Sequence, residues 1–168
     1  MADRMIGAWR AAPRRLAALV RGAWPRRRLV AEACLQLACA EARLRLVPLK
    51  RQGMQDLVPA APCSEEARPA AGGPAARQAA RDVGWAVSRI AAYFPGSAMC
   101  LAQALAARAM LRRRGVGSVL HVGVAASGAA RFQAHAWLEA AGVEVTGYPV
   151  PPDLRELGCL LSDGARQG

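Results

Sequence analysis

The chain has 168 residues, enough for one domain or for one small domain with a helical extension. Hydrophobic residues make up 54% of it, which excludes wholesale disorder, and aromatics make up only 5%, so the core must rest on Ala, Leu and Val. The formal net charge of +11, nearly all from arginine, favours acidic partners. Because no zinc-finger spacing or obvious helix-turn-helix pattern accompanies this charge, we do not expect nucleic-acid binding.

The cysteines and the N-terminus indicate the compartment. The five cysteines are an odd number and form no CxxC pair, which predicts no disulfide framework, no zinc site and a reducing compartment. Cys34, Cys39, Cys63 and Cys159 are interpreted as buried or incidental thiols. No apolar signal segment precedes Pro13, and no uncharged apolar stretch of about 18 residues occurs. We therefore expect a cytoplasmic protein without a membrane-spanning helix.

Residues 1–57 are predicted to be an N-terminal helical region, with helices over Arg14–Ala23 and Leu29–Val47. In the second helix apolar residues recur at steps of three and four: Leu29, Ala33, Leu37, Ala40, Leu44 and Val47. This stripe predicts a helix that packs on the body of the protein. The alternative is a helix that lies on an anionic membrane surface or docks a partner protein. The Pro-, Ala- and Gly-rich residues 58–75 predict a linker or long loop.

Residues 76–168 are predicted to form the core domain. A helix over 75–93 is broken by the run from Tyr93 to Ser97, and Ser97 is a suitable N-cap for the next helix, Ala98–Arg114. Gly115 ends that helix, and the arginines of its last turn, 112–114, predict a solvated helix end with an acidic partner as the alternative.

Three strands are predicted next, over Val116–Val124, Phe132–Ala140 and Val143–Tyr148, with turns at 126–130 and 141–142. The order of helices followed by an antiparallel meander predicts an α+β fold. The tail beyond Val150 contains small and polar residues and is not assigned to an element.

Two residues carry a candidate chemistry. Cys100 lies near the start of its helix, where free backbone N–H groups and the positive end of the helix dipole favour a nucleophilic thiolate. His135 lies on a strand that can cross the start of this helix, and its imidazole could take the thiol proton and later protonate a leaving amine. The Cys100 backbone N–H and the Gln103 side chain are candidate donors to an oxyanion. Trp137 shares a face with His135 and could wall the cleft or fill the core.

Three segments resemble the transglutaminase-like leader peptidases of lasso-peptide biosynthesis. They are the helix Cys100–Gly115, which begins Cys-Leu and ends Leu-Arg-Arg-Arg-Gly, the strand Leu120–Val124, and the segment Ala134–Glu139, which reads Ala-His-Ala-Trp-Leu-Glu. The resemblance implies a transglutaminase- or papain-like core with the catalytic Cys at a helix N-terminus packed on an antiparallel sheet. It also implies Cys100 as nucleophile and His135 as general base and acid, with no cofactor or metal.

The same resemblance implies a place in peptide maturation. The enzyme would remove the leader from a lasso precursor peptide, with a separate leader-recognition protein to present the substrate and a separate cyclase to receive the core. Two other functions stay open. One is a transglutaminase-like acyl transferase or amidase, and the other is a non-catalytic scaffold that binds peptide or membrane through its basic helices.

The segment after His135 departs from the family pattern. Family members often carry an Asp about a dozen residues beyond the His, to orient the imidazole, and none stands there. Glu144 and Asp153 are the candidate replacements, and a backbone carbonyl could orient the ring instead. His121, the only other histidine, is interpreted as a strand residue hydrogen-bonded to a neighbour.

Overall fold

The computed structural model describes residues 24–46, 72–94, 99–127 and 131–162. The elements are α1 (Trp24–Leu46), α2 (Pro74–Ala91), α3 (Met99–Arg112), β1 (Ser118–Ser127), β2 (Arg131–Ala140), β3 (Val143–Thr146) and β4 (Leu154–Ser162). The α+β class is confirmed. The predicted helix Arg14–Ala23, nearly all of the predicted linker and Ser97 lie outside the described residues, so the domain boundaries at 57 and 75 stay predictions.

The ends of the helices follow from local chemistry. α1 begins at Trp24, five residues before the predicted start, with Pro25 in the first turn, where a missing N–H breaks no hydrogen bond. The end of α3 is capped by Gly115, which takes φ +68°. There the Val116 N–H donates to the Leu111 carbonyl at 3.1 Å, and the Gly115 N–H donates to the Arg112 carbonyl at 3.1 Å. These two bonds form the glycine-capped ending that the sequence predicts.

The apolar stripe of α1 is part of the protein core. Ala33 and Leu37 are fully buried, and α1 packs against both α2 and α3. The prediction of a helix packed on the body is therefore confirmed for the described part of the stripe. The alternative, in which this stripe faces lipid or a partner, is wrong because other helices of the same chain already cover it.

An ion-pair cluster joins α1 to the end of α3. The Glu32 carboxylate on α1 accepts hydrogen bonds from Arg113 at 2.6 Å and from Arg114 at 2.5 Å. Arg112, Arg113 and Arg114 are exposed, as the prediction of a solvated helix end requires, and Glu32 is an acidic partner from within the chain for Arg113 and Arg114. Sequence reasoning considered these arginines only within their own helix, whereas the packing of α1 on α3 brings the glutamate to them.

The four strands form one antiparallel sheet in the order β3-β2-β1-β4. The prediction of a three-stranded meander omits β4, which crosses over to pair with β1 at the opposite edge from β3. His121 on β1 therefore lies between Trp137 on β2 and Cys159 on β4. Trp137 and Cys159, on the two strands beside β1, therefore lie on the same face of the sheet as His121.

The two faces of the sheet differ in character. Ala136, Leu138 and Ala140 of β2 belong to the core that the three helices share with the sheet. Because side chains alternate along a strand, His135, Trp137 and Glu139 project from the opposite face. The helices cover one face, and the ionisable and aromatic residues lie on the other.

One cysteine assignment needs correction. Cys159 on β4 is disulfide-bonded, and its partner lies outside the described residues. Its interpretation as an incidental thiol is therefore wrong, and so is the expectation that the chain has no disulfide, because the unpredicted strand β4 gives Cys159 its position. Cys34, Cys39 and Cys100 are free thiols.

None of the helices in the described ranges combines the length and the apolar character that crossing a bilayer requires.

Candidate active site

Cys100 is the second residue of α3 and is half-buried against the core. Backbone N–H groups in the first turn of a helix have no partner within the helix, and the helix dipole places positive potential there. No acidic residue occupies this first turn. The position therefore suits a sulfur that carries negative charge during reaction, and its backbone N–H suits an oxyanion.

His135 is held by a backbone carbonyl. It lies on β2, half-buried, and its Nε2 lies 2.6 Å from the Gly147 carbonyl oxygen. A carbonyl oxygen can only accept, so Nε2 must carry the proton and donate it. The contact thereby fixes the tautomer of the neutral ring and leaves the lone pair on Nδ1, the nitrogen available to act as a base.

A main-chain carbonyl, and neither of the two carboxylates predicted from the sequence, contacts the His135 ring. In the described part of the chain neither Glu144 nor Asp153 hydrogen-bonds to the His135 ring. Glu144 is exposed opposite Glu139, nearer the hairpin turn, and Asp153 is exposed in the turn before β4, at the far edge of the sheet. The sequence leaves a backbone carbonyl open without locating it, and the structure places the Gly147 carbonyl against the His135 ring.

Gly147 can present this carbonyl because it is glycine. It takes φ +84°, a conformation that residues with a Cβ rarely adopt. A Cβ at this position would lie 2.4 Å from the Ala136 carbonyl oxygen and 2.8 Å from the Trp137 Cα. The main chain after β3 is therefore pressed against β2, directly beside His135.

The structure does not join the two proposed catalytic side chains by a hydrogen bond. α3 packs against β2, yet within the described residues no hydrogen bond runs between the Cys100 sulfur and the His135 ring. The ring projects from the face opposite the helix-facing core. The Cys100–His135 pairing accordingly stays a prediction.

Trp137 and His121 extend the His135 side of the sheet. Trp137, 7% exposed, stacks on both histidines, with ring centroids 6.1 Å from His135 and 5.1 Å from His121. His121 is buried, and its Nδ1 lies 2.7 Å from Glu156 Oε1, which confirms its interpretation as a hydrogen-bonded strand residue. Trp137 is buried, as a core residue would be, and it also contacts His135 beside the candidate site.

Gln103 lies one turn beyond Cys100 on α3 and is half-buried. Its role as an oxyanion donor stays a prediction.

Sequence reasoning did not single out Glu139 and Tyr148. The Tyr148 hydroxyl donates to Glu139 Oε1 at 2.7 Å, and Glu139 Oε2 lies 3.9 Å from His121 Nε2. A weak signal existed in the alternation His135, Trp137, Glu139, which places all three side chains on one face. The hydrogen bond from Tyr148 to Glu139 depends on the path of the chain after β3, and no local sequence pattern predicts that path.

The described helices and the four-stranded antiparallel sheet form an α+β fold, with Cys100 in the first turn of one helix and His135 on one strand. Comparison with protein-family models matches residues 44–158, from the end of α1 into β4, to the transglutaminase-like superfamily. The chain belongs to that superfamily, whose members are commonly cysteine peptidases or acyltransferases. Comparisons with curated proteins and with solved structures found no significant match.

Proposed function

We propose that the chain is a cysteine peptidase that removes the leader from a lasso precursor peptide. Membership of the transglutaminase-like superfamily supports thiol-dependent acyl chemistry. The resemblance of the segments around Cys100, Leu120 and His135 to lasso leader peptidases supports the narrower substrate. The observation that carries the proposal is the His135–Gly147 contact, since it leaves Nδ1 as a base on a ring of fixed orientation.

The proposed reaction has two stages. His135 Nδ1 takes the Cys100 thiol proton, and the sulfur attacks the carbonyl carbon at the leader–core junction. The resulting oxyanion is stabilised by the Cys100 backbone N–H, and Gln103 is a further candidate donor. The C–N bond then breaks, and His135 returns its proton to the amine of the released core. Water, deprotonated by His135, hydrolyses the thioester and frees the leader as a carboxylate.

The proposed partners follow from this reaction. A separate leader-recognition protein would present the precursor, and a separate cyclase would receive the core peptide with its new N-terminal amine. Substrate binding must bring the Cys100 sulfur to His135 Nδ1, since the two are not hydrogen-bonded in the structure. The enzyme would need no cofactor.

The test is incubation of a candidate lasso precursor peptide with the purified chain and a leader-recognition protein, with the products identified by mass spectrometry. We expect Cys100→Ala and His135→Ala each to lower kcat at least about a thousandfold, because the thiol and its base act as one unit. Cys39→Ala is the matched control, since Cys39 is also a free thiol but is exposed on α1. Circular dichroism and thermal unfolding verify that each variant is folded.

The products separate the competing functions. Two fragments meeting at the leader–core junction support the peptidase, whereas a covalent amide adduct or side-chain deamidation would assign an acyl transferase or amidase. Near-full cleavage by a folded Cys100→Ala or His135→Ala variant would refute the catalytic assignment. If the variants lose no function in the pathway while the helices still bind peptide or membrane, the chain is a scaffold.

A further inference from the structure

We infer that Glu139 and Tyr148 are positioning residues for His135, acting through the Gly147 carbonyl; this inference rests on the proposed function. Tyr148 directly follows Gly147 in the chain, and its hydroxyl donates to Glu139 on β2 at 2.7 Å. The same two segments are joined by the His135 Nε2–Gly147 carbonyl contact at 2.6 Å. Two hydrogen bonds therefore fasten one short segment to one strand.

The segment needs such a fastening because it lies beyond the strand ladder. β3 ends at Thr146, and its pairing with β2 runs only from Leu138 to Ala140. From Gly147 onward the main chain has left this ladder, so the position of the Gly147 carbonyl relative to the ring depends on contacts outside the ladder. The Tyr148–Glu139 bond is one such contact, one residue from the carbonyl.

Glu139 lies beside a buried polar pair. It lies four residues after His135 on the same face of β2, and its second carboxylate oxygen lies 3.9 Å from Nε2 of the buried His121, beyond hydrogen-bond distance. His121 is bonded through Nδ1 to Glu156 on β4 at 2.7 Å. Tyr148 is thus attached to a half-buried carboxylate on β2. A hydrogen bond to a charged, partly buried acceptor is among the stronger ones in proteins.

The experiment uses the full chain and two readouts, imidazole ¹⁵N NMR and precursor cleavage. The chain has only two histidines, so the ring signals of His135 can be assigned from the His135→Ala spectrum. We expect Tyr148→Phe to increase solvent exchange of the His135 Nε2–H and to move the ring ¹⁵N shifts towards a mixture of tautomers. We expect kcat to fall about three- to tenfold with KM unchanged, the effect of losing one hydrogen bond of about 1 kcal/mol.

Two comparisons distinguish positioning from a general structural role. Tyr93→Phe is the matched control, because Tyr93 is the only other tyrosine and lies in the turn after α2 rather than in the segment that follows β3. Glu139→Ala should reproduce the Tyr148→Phe effects, whereas Glu139→Gln should retain most of the wild-type behaviour because its amide oxygen still accepts from the hydroxyl. In the Glu139→Ala background, Tyr148→Phe should have little further effect, since both changes remove one bond.

Failure of this inference is distinguishable from failure of the proposed function. Wild-type ¹⁵N shifts and exchange in a folded Tyr148→Phe protein would overturn the positioning role whatever the cleavage assay shows. If the NMR changes occur but Cys100→Ala still cleaves, the coupling of Tyr148 to His135 is supported and the peptidase is refuted. Equal effects of Tyr93→Phe and Tyr148→Phe on the ring signals would also overturn the inference, because they would indicate a global disturbance.

Discussion

Gly147 combines two constraints in one residue, an unusual backbone conformation and the absence of space for a side chain. We predict that Gly147→Ala destabilises the protein by about 2–4 kcal/mol, from positive-φ strain and from collision with the β2 backbone. Because the Gly147 carbonyl must move to relieve the collision, kcat should fall as well. Chemical denaturation measures the first effect and precursor cleavage the second.

Gly73→Ala is the control for this prediction. Gly73 precedes α2 with a negative φ, and a Cβ there would meet nothing within 4 Å. Because Gly73 is the N-cap of α2 and Ala is a poorer N-cap than Gly, the same chemical change should lower the free energy of unfolding by about 1 kcal/mol at most. A Gly147→Ala protein as stable and as active as wild type would show that the chain leaves β3 by another route.

For individual residues, the sequence predicts the type of residue at a site better than it predicts the hydrogen-bond partner of that residue. The spacing after His135 reveals that the usual Asp is missing and leaves Glu144, Asp153 or an unlocated backbone carbonyl as replacements. It cannot choose among them, because the choice depends on a left-handed turn at Gly147 that presses the chain onto β2. The hydrogen bond of His121 is foreseen, but its partner Glu156 is not, since Glu156 lies on the unpredicted strand.

Between elements, the Glu32 cluster joins α1 to α3. The pKa of Glu32 lies below its ordinary value, mainly because Arg114 donates hydrogen bonds to its carboxylate. Partial burial opposes this shift, and the hydrogen bond from Arg113 adds to it. A carboxyl whose pKa is lowered on folding contributes stability above its unfolded pKa, and this contribution is lost as the pH falls through the folded pKa. We predict that Glu32→Gln lowers the free energy of unfolding by about 1 kcal/mol near pH 7 and by almost nothing near pH 3.

The measurement is urea denaturation of both proteins across this pH range. Asp153→Asn makes a matched change from carboxylate to amide at an exposed turn residue that forms no ion pair within the described ranges. Its difference from wild type should not vary in the same way with pH. A Glu32→Gln difference that is constant from neutral to acid would mean that the cluster contributes packing rather than charge.

Among the elements, the helices and three of the strands are predictable from the sequence, whereas β4 is not. Apolar residues at steps of three and four are enough to locate α1 and α2, because the burial of those residues is what makes the helices stable. β4 follows Pro151 and Pro152 and mixes charged residues with leucines, so neither a clean alternation nor an apolar run marks it. Its pairing with β1 joins residues 29 to 44 positions apart, and only the assembled sheet favours it.

The whole molecule carries a net charge of +11, which favours long-range attraction of acidic partners. Arg26, Arg28, Arg81 and Arg114 line a groove of about 960 Å³ between α1 and α2, with Glu32 and Asp82 as the acidic residues of its wall. Neither Cys100 nor His135 lines this groove, so electrostatic capture of a leader and cleavage at the thiol would involve different parts of the surface. An acidic leader would be attracted before it is cut.

This separation predicts how salt affects the reaction. Exposed charges more than about 10 Å apart are largely screened at about 0.1 M salt, whereas the partly buried contacts of His135 are screened less. We therefore expect KM for an acidic leader to rise about tenfold between about 0.05 M and about 0.5 M salt, with kcat nearly constant. A precursor whose leader carboxylates are replaced by amides should show a KM that hardly responds to salt. If the acidic and amidated precursors respond alike, the charge of the enzyme does not capture the leader, and selection must depend on apolar contacts or on the leader-recognition protein.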